Sequence, residues 1–346
     1  MLLSLPTYDI SDWSSKPWFH TKGTREKLIV EDENGKEFYF KTSLEKPDRH
    51  YPYEFWSEII ATHLGLMFNV PILNYDIAIL GDKIGCISPS MVGKNQELIE
   101  GIQYLQAYDR DFDPEKKADR DLYSFQLIEK ALQHSGLSFY MKEIIRLIIF
   151  DSIIGNQDRH QENWGVIIKY ISTNTLTVPS DEMKEDYRRR LLLVDNNAGY
   201  RSDETFEYKA YKDLSFRNQQ IFAPIYDSGS SLGRELDSVA VNKLLHNKQR
   251  FDNYIRRGKS EVRWQNVHLN HEELVRKMLV ESDYPDTVST LRDIISRYSE
   301  KNFEHLLNVI DKNIPIKFAH LKIPAERKRL ILRLVTARVE LLKALL

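Results

Sequence analysis

The stretch Gly155-Asn156-Gln157-Asp158-Arg159-His160-Gln161-Glu162-Asn163-Trp164-Gly165 carries a carboxylate and, five positions later, an amide. Moving a phosphoryl group needs a carboxylate near the attacking hydroxyl and an oxygen ligand that helps hold Mg²⁺. Asp158 and Asn163 offer both on one loop. The same two residue types at that offset also occur in ordinary turn and capping loops, and the pair taken alone reads that way.

Two further segments could complete such chemistry. Phe222-Ala223-Pro224-Ile225-Tyr226-Asp227-Ser228-Gly229 delivers a carboxylate from an apolar run to a sharp turn, where Gly229 gives the backbone latitude. A metal-holding Asp facing phosphates suits that place, and so does a plain strand-end turn. Asp195, after the apolar island Leu191 to Val194, competes for the same role. Near the start, Lys41 ends the alternating run Phe38-Tyr39-Phe40-Lys41 and could reach the α- and β-phosphates of a nucleotide. Glu58 falls on a predicted helix, roughly opposite its apolar stripe at ~100° per residue, and could pair with that lysine. A solvent-facing Lys and Glu are the plain alternatives, and Glu54, one turn earlier, reads as solvent-facing.

The elements that must position these residues are legible in outline. Lys27 to Val30 and Glu37 to Lys41 flank Asn34-Gly35, a hairpin turn signal. A helix is expected from about Tyr53 to Phe68, with Trp56, Ile59, Ile60, His63, Leu64 and Met67 in one stripe. Val70-Pro71 ends it. Tyr75 to Leu80 and Lys83 to Ile87 read as two more strands around Gly81-Asp82. After Val92 helical patterns dominate, at Leu122 to His134, Met141 to Ile154, Thr287 to Tyr298, Phe303 to Ile310 and Pro324 to Leu346. The Met141 helix is apolar nearly all round and so expected to be buried. Leu330, Leu334, Ala337, Leu341 and Leu345 form the expected inward stripe of the last helix. Asp109 to Asp121 is a charged connection, and the polar stretch from Ser172 to Asn218 reads as an insertion.

This order predicts an α+β, two-lobed fold. Residues 1–92 form a small β-rich lobe with one helix, and 93–346 a larger, mainly helical lobe. The second lobe holds the loop 155–165, the insertion of about 172–218 and the turn segment 223–232.

The 346 residues suffice for two lobes with a sizeable core, and the formal net charge of −2 gives no strong signal for nucleic acid. From Lys301 onward ten Lys/Arg face four Asp/Glu, read as a solvated face of terminal helices. Cys86 is the single cysteine, which excludes an intramolecular disulfide and a thiolate metal cage; its apolar surroundings read as core. The start lacks the pattern of a signal peptide, and the apolar run Ile144 to Ile154 is too short to span a bilayer. A cytoplasmic protein is expected, with delivery into another cell compatible with the sequence.

Taken together these segments resemble the HipA-like Ser/Thr kinase family and, within it, CtkA-type kinases. The stretch 155–165 matches the family's catalytic loop, in an Asp-Arg-His-x-x-Asn form also seen in phosphoinositide kinases. Ala-Pro-Ile-Tyr-Asp-Ser-Gly-Ser-Ser-Leu (223–232) matches its metal motif and favours Asp227 over Asp195. Ser57-Glu58, with Glu58 thirteen residues ahead of Pro71, matches the spacing of its helix glutamate. Gly23-Thr24-Arg25-Glu26-Lys27 looks like its short nucleotide loop. The likeness runs from Gly23 through Thr336-Ala337-Arg338. Departures are the absence of room before Gly23 for the extra subdomain of HipA itself, the longer insertion, the single glycine in the nucleotide loop, and Ser228 in place of the usual aromatic residue.

The resemblance implies an ATP- and Mg²⁺-dependent kinase acting on Ser or Thr of a protein. Asp158 would orient and deprotonate the acceptor hydroxyl, Asn163 and Asp227 would hold Mg²⁺, and Lys41, fixed by Glu58, would contact the phosphates. Gly23, Thr24 and Arg25 would cover the phosphates through their backbone, and Ser90, Met91 and Val92 would meet the adenine edge. Arg159 and His160 would position the loop. Self-phosphorylation would fall on Ser14, Ser15, Thr21 or Thr24, and an antitoxin or other regulatory protein is an implied partner. The rival readings are a phosphoinositide-type lipid kinase, a phosphoesterase using Asp158, His160, Asp195 and Asp227 as metal ligands, and an inactive kinase-fold binding module.

Overall fold

The computed structural model describes residues 5–16, 27–47, 49–172 and 216–346. Gly23, Thr24, Arg25, Thr21, Asp195 and most of the expected insertion lie outside them. The Asn34-Gly35 signal forms the expected hairpin. Asp32 Oδ1 accepts from the backbone N–H groups of Asn34 and Lys36, and Gly35 takes the left-handed φ of 75° that the turn requires.

In chain order the first elements are β1 (Thr7–Asp9), β2 (Ser14–Ser15), β3 (Lys27–Glu31), β4 (Glu37–Thr42), β5 (Glu45–Lys46), β6 (Arg49–His50), α1 (Glu54–Phe68), β7 (Asp76–Leu80) and β8 (Lys83–Pro89). Six of the strands form one sheet in the order β1-β7-β8-β4-β3-β2. All neighbours are antiparallel except β1 and β7. Successive strand residues face opposite sides, so β4 sends Phe40 to one face and Lys41 to the other. Phe40 joins Ile10, Val30, Ala78 and Ile87 in a buried cluster. Gly85 of β8 lies against β4 so closely that a Cβ there would stand 2.0 Å from the Lys41 carbonyl oxygen. The residue thus fixes how near the lysine-bearing strand comes to its neighbour.

The remaining elements are β9 (Gln96–Glu100), α2 (Gly101–Tyr108), α3 (Lys117–Arg120), α4 (Phe125–His134), α5 (Met141–Ile154), β10 (Gly165–Ser172), β11 (Phe216–Phe222), α6 (Ser238–His246), α7 (Lys248–Arg257), α8 (His271–Glu281), α9 (Asp286–Ser296), α10 (Glu300–Val309) and α11 (Ala325–Lys343). The described residues fall into two compact units. The first draws on Met1–Met91, Glu100–Gly165 and Ala223–Leu346, and holds the six-stranded sheet and the helices. The second draws on Val92–Ile99 and Val166–Phe222, where β9, β10 and β11 form a three-stranded sheet.

Helix α5 occupies its predicted range and is buried around nearly its whole circumference, with α8, α9 and α11 packed on it. Gly155 ends it at φ 67°, the left-handed C-cap that lets the chain turn sharply into the Asp158 loop. A Cβ at Gly155 would collide with the Arg338 guanidinium at 2.3 Å.

Several expectations are corrected. Helix α1 does not present one stripe: it is buried on both sides, by the sheet and by the helical body, and Met67 is only half-buried. Trp56 Nε1 donates to the Leu321 carbonyl, and Phe68 stacks on Tyr298. Glu54, read as solvent-facing, is 0% exposed, ion-paired with Arg234 and hydrogen-bonded by the Leu44 N–H. In α11 the inward residues include Ile331, Val335, Val339 and Leu342 beside Leu330 and Leu334, while Ala337, Leu341 and Leu345 are half-buried. A helix packed from several directions buries more than one stripe. Helix α4 starts at Phe125 rather than Leu122 because Ser124 caps it, its hydroxyl accepting from the Leu127 N–H.

Candidate active site

Lys41 reaches the site because β4 alternates, and the site reaches Lys41 because α1 and the turn after Tyr226 both point carboxylates at it. Its ammonium stands 3.5 Å from Glu58 Oε1, 3.5 Å from Asp227 Oδ1 and 3.3 Å from the Tyr75 hydroxyl. Lys41 is 5% exposed and Glu58 1% exposed. Burial alone drives this ammonium's pKa down, but Asp227, Tyr75 and Glu58 outweigh it and hold it well above the ordinary lysine value. The lysine is therefore charged across the physiological range. Burial is also the chief reason that the Tyr75 phenol is raised, so it stays a neutral hydrogen-bonding partner.

Glu58 is shared. Its second oxygen, Oε2, accepts the Ser228 backbone N–H at 2.8 Å. One carboxylate on α1 thus ties the strand lysine to the turn that follows Asp227. In that turn the left-handed residue is Asp227 itself, φ 55°, followed by Leu232 at 56° and Gly233 at 73°. Asp is among the few side chains that enter this region readily, and strain of this kind concentrates at functional turns. The latitude expected of Gly229 is exercised at these neighbours. A second ammonium, that of Lys27, stands 3.9 Å from Asp227 Oδ2. Lys27 pairs directly with Lys41 in the β3–β4 register, so both side chains leave the same face of the sheet.

The loop after α5 is organised around Arg159, which is 1% exposed. Its guanidinium forks onto Asp151 of α5, with Nε to Oδ2 at 2.8 Å and Nη2 to Oδ1 at 2.9 Å. Nη1 donates to the Asn163 carbonyl at 2.9 Å and also to the Tyr226 carbonyl. Burial opposes the charge here, and the Asp151 carboxylate overrides it and holds the guanidinium above its usual pKa. Arg159 therefore fastens three segments at once: the end of α5 through the Asp151 carboxylate, and the backbones of the loop around Asn163 and of the residue before Asp227. The bidentate pair on a buried carboxylate gives direction as well as energy.

Asp158 itself is exposed at the surface of the loop. Its backbone N–H donates to Asn156 Oδ1, and the Ser230 hydroxyl donates to its Oδ2 at 3.2 Å. Asn163 is buried, and its amide nitrogen donates to the Asp158 carbonyl at 2.8 Å, which leaves the amide oxygen as the atom able to act as a ligand. The His160 ring turns toward Glu162, whose N–H it accepts at 3.3 Å. Trp164 is core, stacked on Tyr104 and bonded to the Tyr123 hydroxyl.

Ser90 closes β8, its N–H donating to the Glu37 carbonyl; Ser90 and Met91 are half-buried, and Val92 opens the second unit. Ser14 and Ser15 are exposed on β2 at the edge of the sheet. Among the described residues no group of three or more His, Cys, Asp or Glu side chains could hold a metal ion. Asp151 and Tyr75, central to this geometry, were not singled out by the sequence as site residues, and Lys27 and Ser230 stood in quoted motifs without a side-chain role of their own. A lone Asp in an otherwise apolar, buried helix was the available signal for Asp151, since a buried carboxylate demands a partner.

A six-stranded sheet with one helix, ahead of a larger helical body that presents an Asp-bearing loop, is a kinase-like α+β fold. The chain is similar to the crystal structure of the Helicobacter pylori proinflammatory kinase CtkA, with a TM-score of 0.69 and 15% identity over 98% of this chain and 97% of that one. A weaker likeness is to HipA in the Shewanella oneidensis MR-1 toxin–antitoxin complex of HipA, HipB and operator DNA, with a TM-score of 0.49 and 11% identity over 96% and 66%. The CtkA structure is of the kind of kinase that the motifs resemble. No protein-family model matches the chain, and no curated protein sequence does. At such identities the likeness to CtkA speaks for the fold.

Proposed function

We propose that the chain is a HipA-like Ser/Thr protein kinase, moving the γ-phosphoryl of ATP onto a Ser or Thr hydroxyl of a protein. The observation that carries this reading is the buried Lys41 ammonium between Glu58 and Asp227. A buried charge is costly to maintain for structure alone, because desolvation offsets most of what an ion pair returns. A cation held on one face of an interior strand, beside a carboxylate on a left-handed turn, is instead suited to phosphate oxygens.

In this reading Lys41 contacts the α- and β-phosphates and Glu58 holds it in place. Asp227 and the amide oxygen of Asn163 are hard oxygen donors of the kind Mg²⁺ takes, usually beside substrate phosphates and water. When bound there, Mg²⁺ neutralises charge on the phosphates. Asp158 accepts the proton of the acceptor hydroxyl. The hydroxyl oxygen bonds to the γ-phosphorus, the bond to the β–γ bridging oxygen breaks, and ADP leaves. Gly23, Thr24 and Arg25 are assigned to the phosphate cover, and Ser90, Met91 and Val92 to the adenine edge. Ser14, Ser15, Thr21 and Thr24 are the proposed self-phosphorylation positions. A boundary near residue 92 between a nucleotide lobe and an acceptor lobe belongs to the same proposal.

No helix among the described residues is long and apolar enough to cross a membrane. The phosphoesterase alternative would need His160 on a metal through Nε2, since its Nδ1 accepts the Glu162 N–H.

The test is calorimetric. Asp227→Ala is expected to abolish Mg²⁺-dependent ATP binding, while Asp195→Ala leaves it within about twofold, because Asp227 is the carboxylate that the motif assigns to the metal and it stands beside Lys41. The opposite order of effects would transfer the metal role to Asp195.

A further inference from the structure

We propose that Ser230 is a positioning residue for phosphoryl transfer, holding the Asp158 carboxylate through its hydroxyl and linking it mechanically to the Lys41–Glu58 pair. The inference rests on the proposed role of Asp158 as the group that receives the acceptor's proton.

Ser230 grips the catalytic loop at two adjacent points. Its hydroxyl donates to Asp158 Oδ2 at 3.2 Å, and its carbonyl accepts the N–H of Gln157 at 3.3 Å. The rest of the serine-rich turn is fastened in the other direction, toward α1. The Ser228 N–H donates to Glu58 Oε2 at 2.8 Å, the Ser231 hydroxyl donates to the Ser228 carbonyl at 2.6 Å, and Ser57 of α1 donates to the Ser231 carbonyl at 3.2 Å. Leu232 then bonds back to Ile154 at the end of α5. Residues 228–232 are therefore a short strap between the glutamate that holds Lys41 and the carboxylate that would receive the proton.

Asp158 is exposed, so little packing defines the orientation of its side chain. A hydroxyl donating to one carboxylate oxygen leaves the other for the incoming substrate and restricts rotation about the side-chain bonds. Catalysis by a positioned base depends steeply on such restriction. The backbone bonds on both sides of Ser230 hold its hydroxyl in a donor position, which favours positioning over a role as a phosphate acceptor.

The experiment measures transfer from Mg-ATP to a Ser-containing protein acceptor with full-length chain: wild type, Ser230→Ala, Ser230→Thr, Asp158→Asn, and Ser230→Ala combined with Asp158→Asn. Loss of a hydrogen bond to a charged group predicts a kcat lower by about tenfold in Ser230→Ala, with KM for ATP unchanged. Ser230→Thr keeps the hydroxyl and is expected to recover most of the rate. In the Asp158→Asn background, Ser230→Ala is expected to add less than about twofold, because residues acting through one group are not additive.

An unchanged kcat in Ser230→Ala beside a crippled Asp158→Asn would overturn the inference and leave the kinase reading standing. So would losses that multiply in the double variant, or phosphate mapped to Ser230 in the wild type. Wild-type transfer by Asp158→Asn would instead remove the role of Asp158 on which the inference depends.

Discussion

Asp158→Asn is expected to transfer phosphate about 10²–10⁴-fold more slowly while binding Mg-ATP as tightly as the wild type. The substitution is close to isosteric, and the bonds that shape the loop around it use the backbone. The Asp158 N–H donates to Asn156, and its carbonyl accepts from Asn163; both survive. What is lost is an exposed carboxylate, the group proposed to accept the hydroxyl proton. The metal-holding atoms assigned to Asn163 and Asp227 are untouched, so affinity and rate should separate. His160→Ala is expected to cost less than Asp158→Asn, since its ring meets the neighbouring Glu162 and, electrostatically, Glu261. Single-turnover rates beside calorimetric affinities check the ranking. A fall in affinity that matches the fall in rate would mean that Asp158 belongs to nucleotide binding.

Arg159→Leu is expected to be the most destabilising change in the loop. It leaves the buried Asp151 carboxylate without its cation, with the Asn156 amide still donating to it, and frees the carbonyls of Asn163 and Tyr226. Breaking one partner of a buried ion pair typically costs about 3–5 kcal/mol, because the remaining charge has no solvent. At about 2–4 °C per kcal/mol for chains approaching this size, the Tm falls by on the order of 10 °C. The double replacement Asp151→Leu with Arg159→Leu should recover part of the loss, since it removes the stranded charge as well. Recovery remains incomplete because the two carbonyls still lack their donor. Equal unfolding midpoints for Arg159→Leu and wild type would show that the pair contributes nothing to holding the loops.

The parts of this site readable in the sequence are those that local spacing encodes. Asp158 and Asn163 lie on one loop, Asp227 sits in a short motif, and Lys41 and Glu58 follow from the two-residue strand period and the helical period. The hairpin at Asn34-Gly35 and the full extent of α5 follow from turn chemistry and apolar content. The contacts that lock these pieces together join residues far apart in the chain, and no local pattern carries them. Asp151 reads as an interruption of an apolar run until Arg159 is seen folded back onto it. Glu54 and Glu58 stand one turn apart with opposite expectations, yet both are buried, because α1 lies between two layers and a single-stripe reading supplies only one. Helices α6 and α7 escaped notice because α6 is short and α7 is mostly polar, burying only Phe251. Ser230 looks like filler in a Ser-Gly-Ser-Ser turn, and only the Asp158 contact gives it meaning.

In the proposed reading Lys41, Asp227 and Asp158 together move the γ-phosphoryl of ATP to a serine or threonine hydroxyl. The most direct measurement follows γ-labelled ATP incubated with the full chain, Mg²⁺ and a Ser/Thr-rich protein acceptor, and then identifies the labelled group by phosphoamino-acid analysis. Label is expected on phosphoserine or phosphothreonine, dependent on Mg²⁺ and lost in Asp227→Ala. Label released only as free phosphate, or appearing on inositol lipid but never on protein, would contradict that reading.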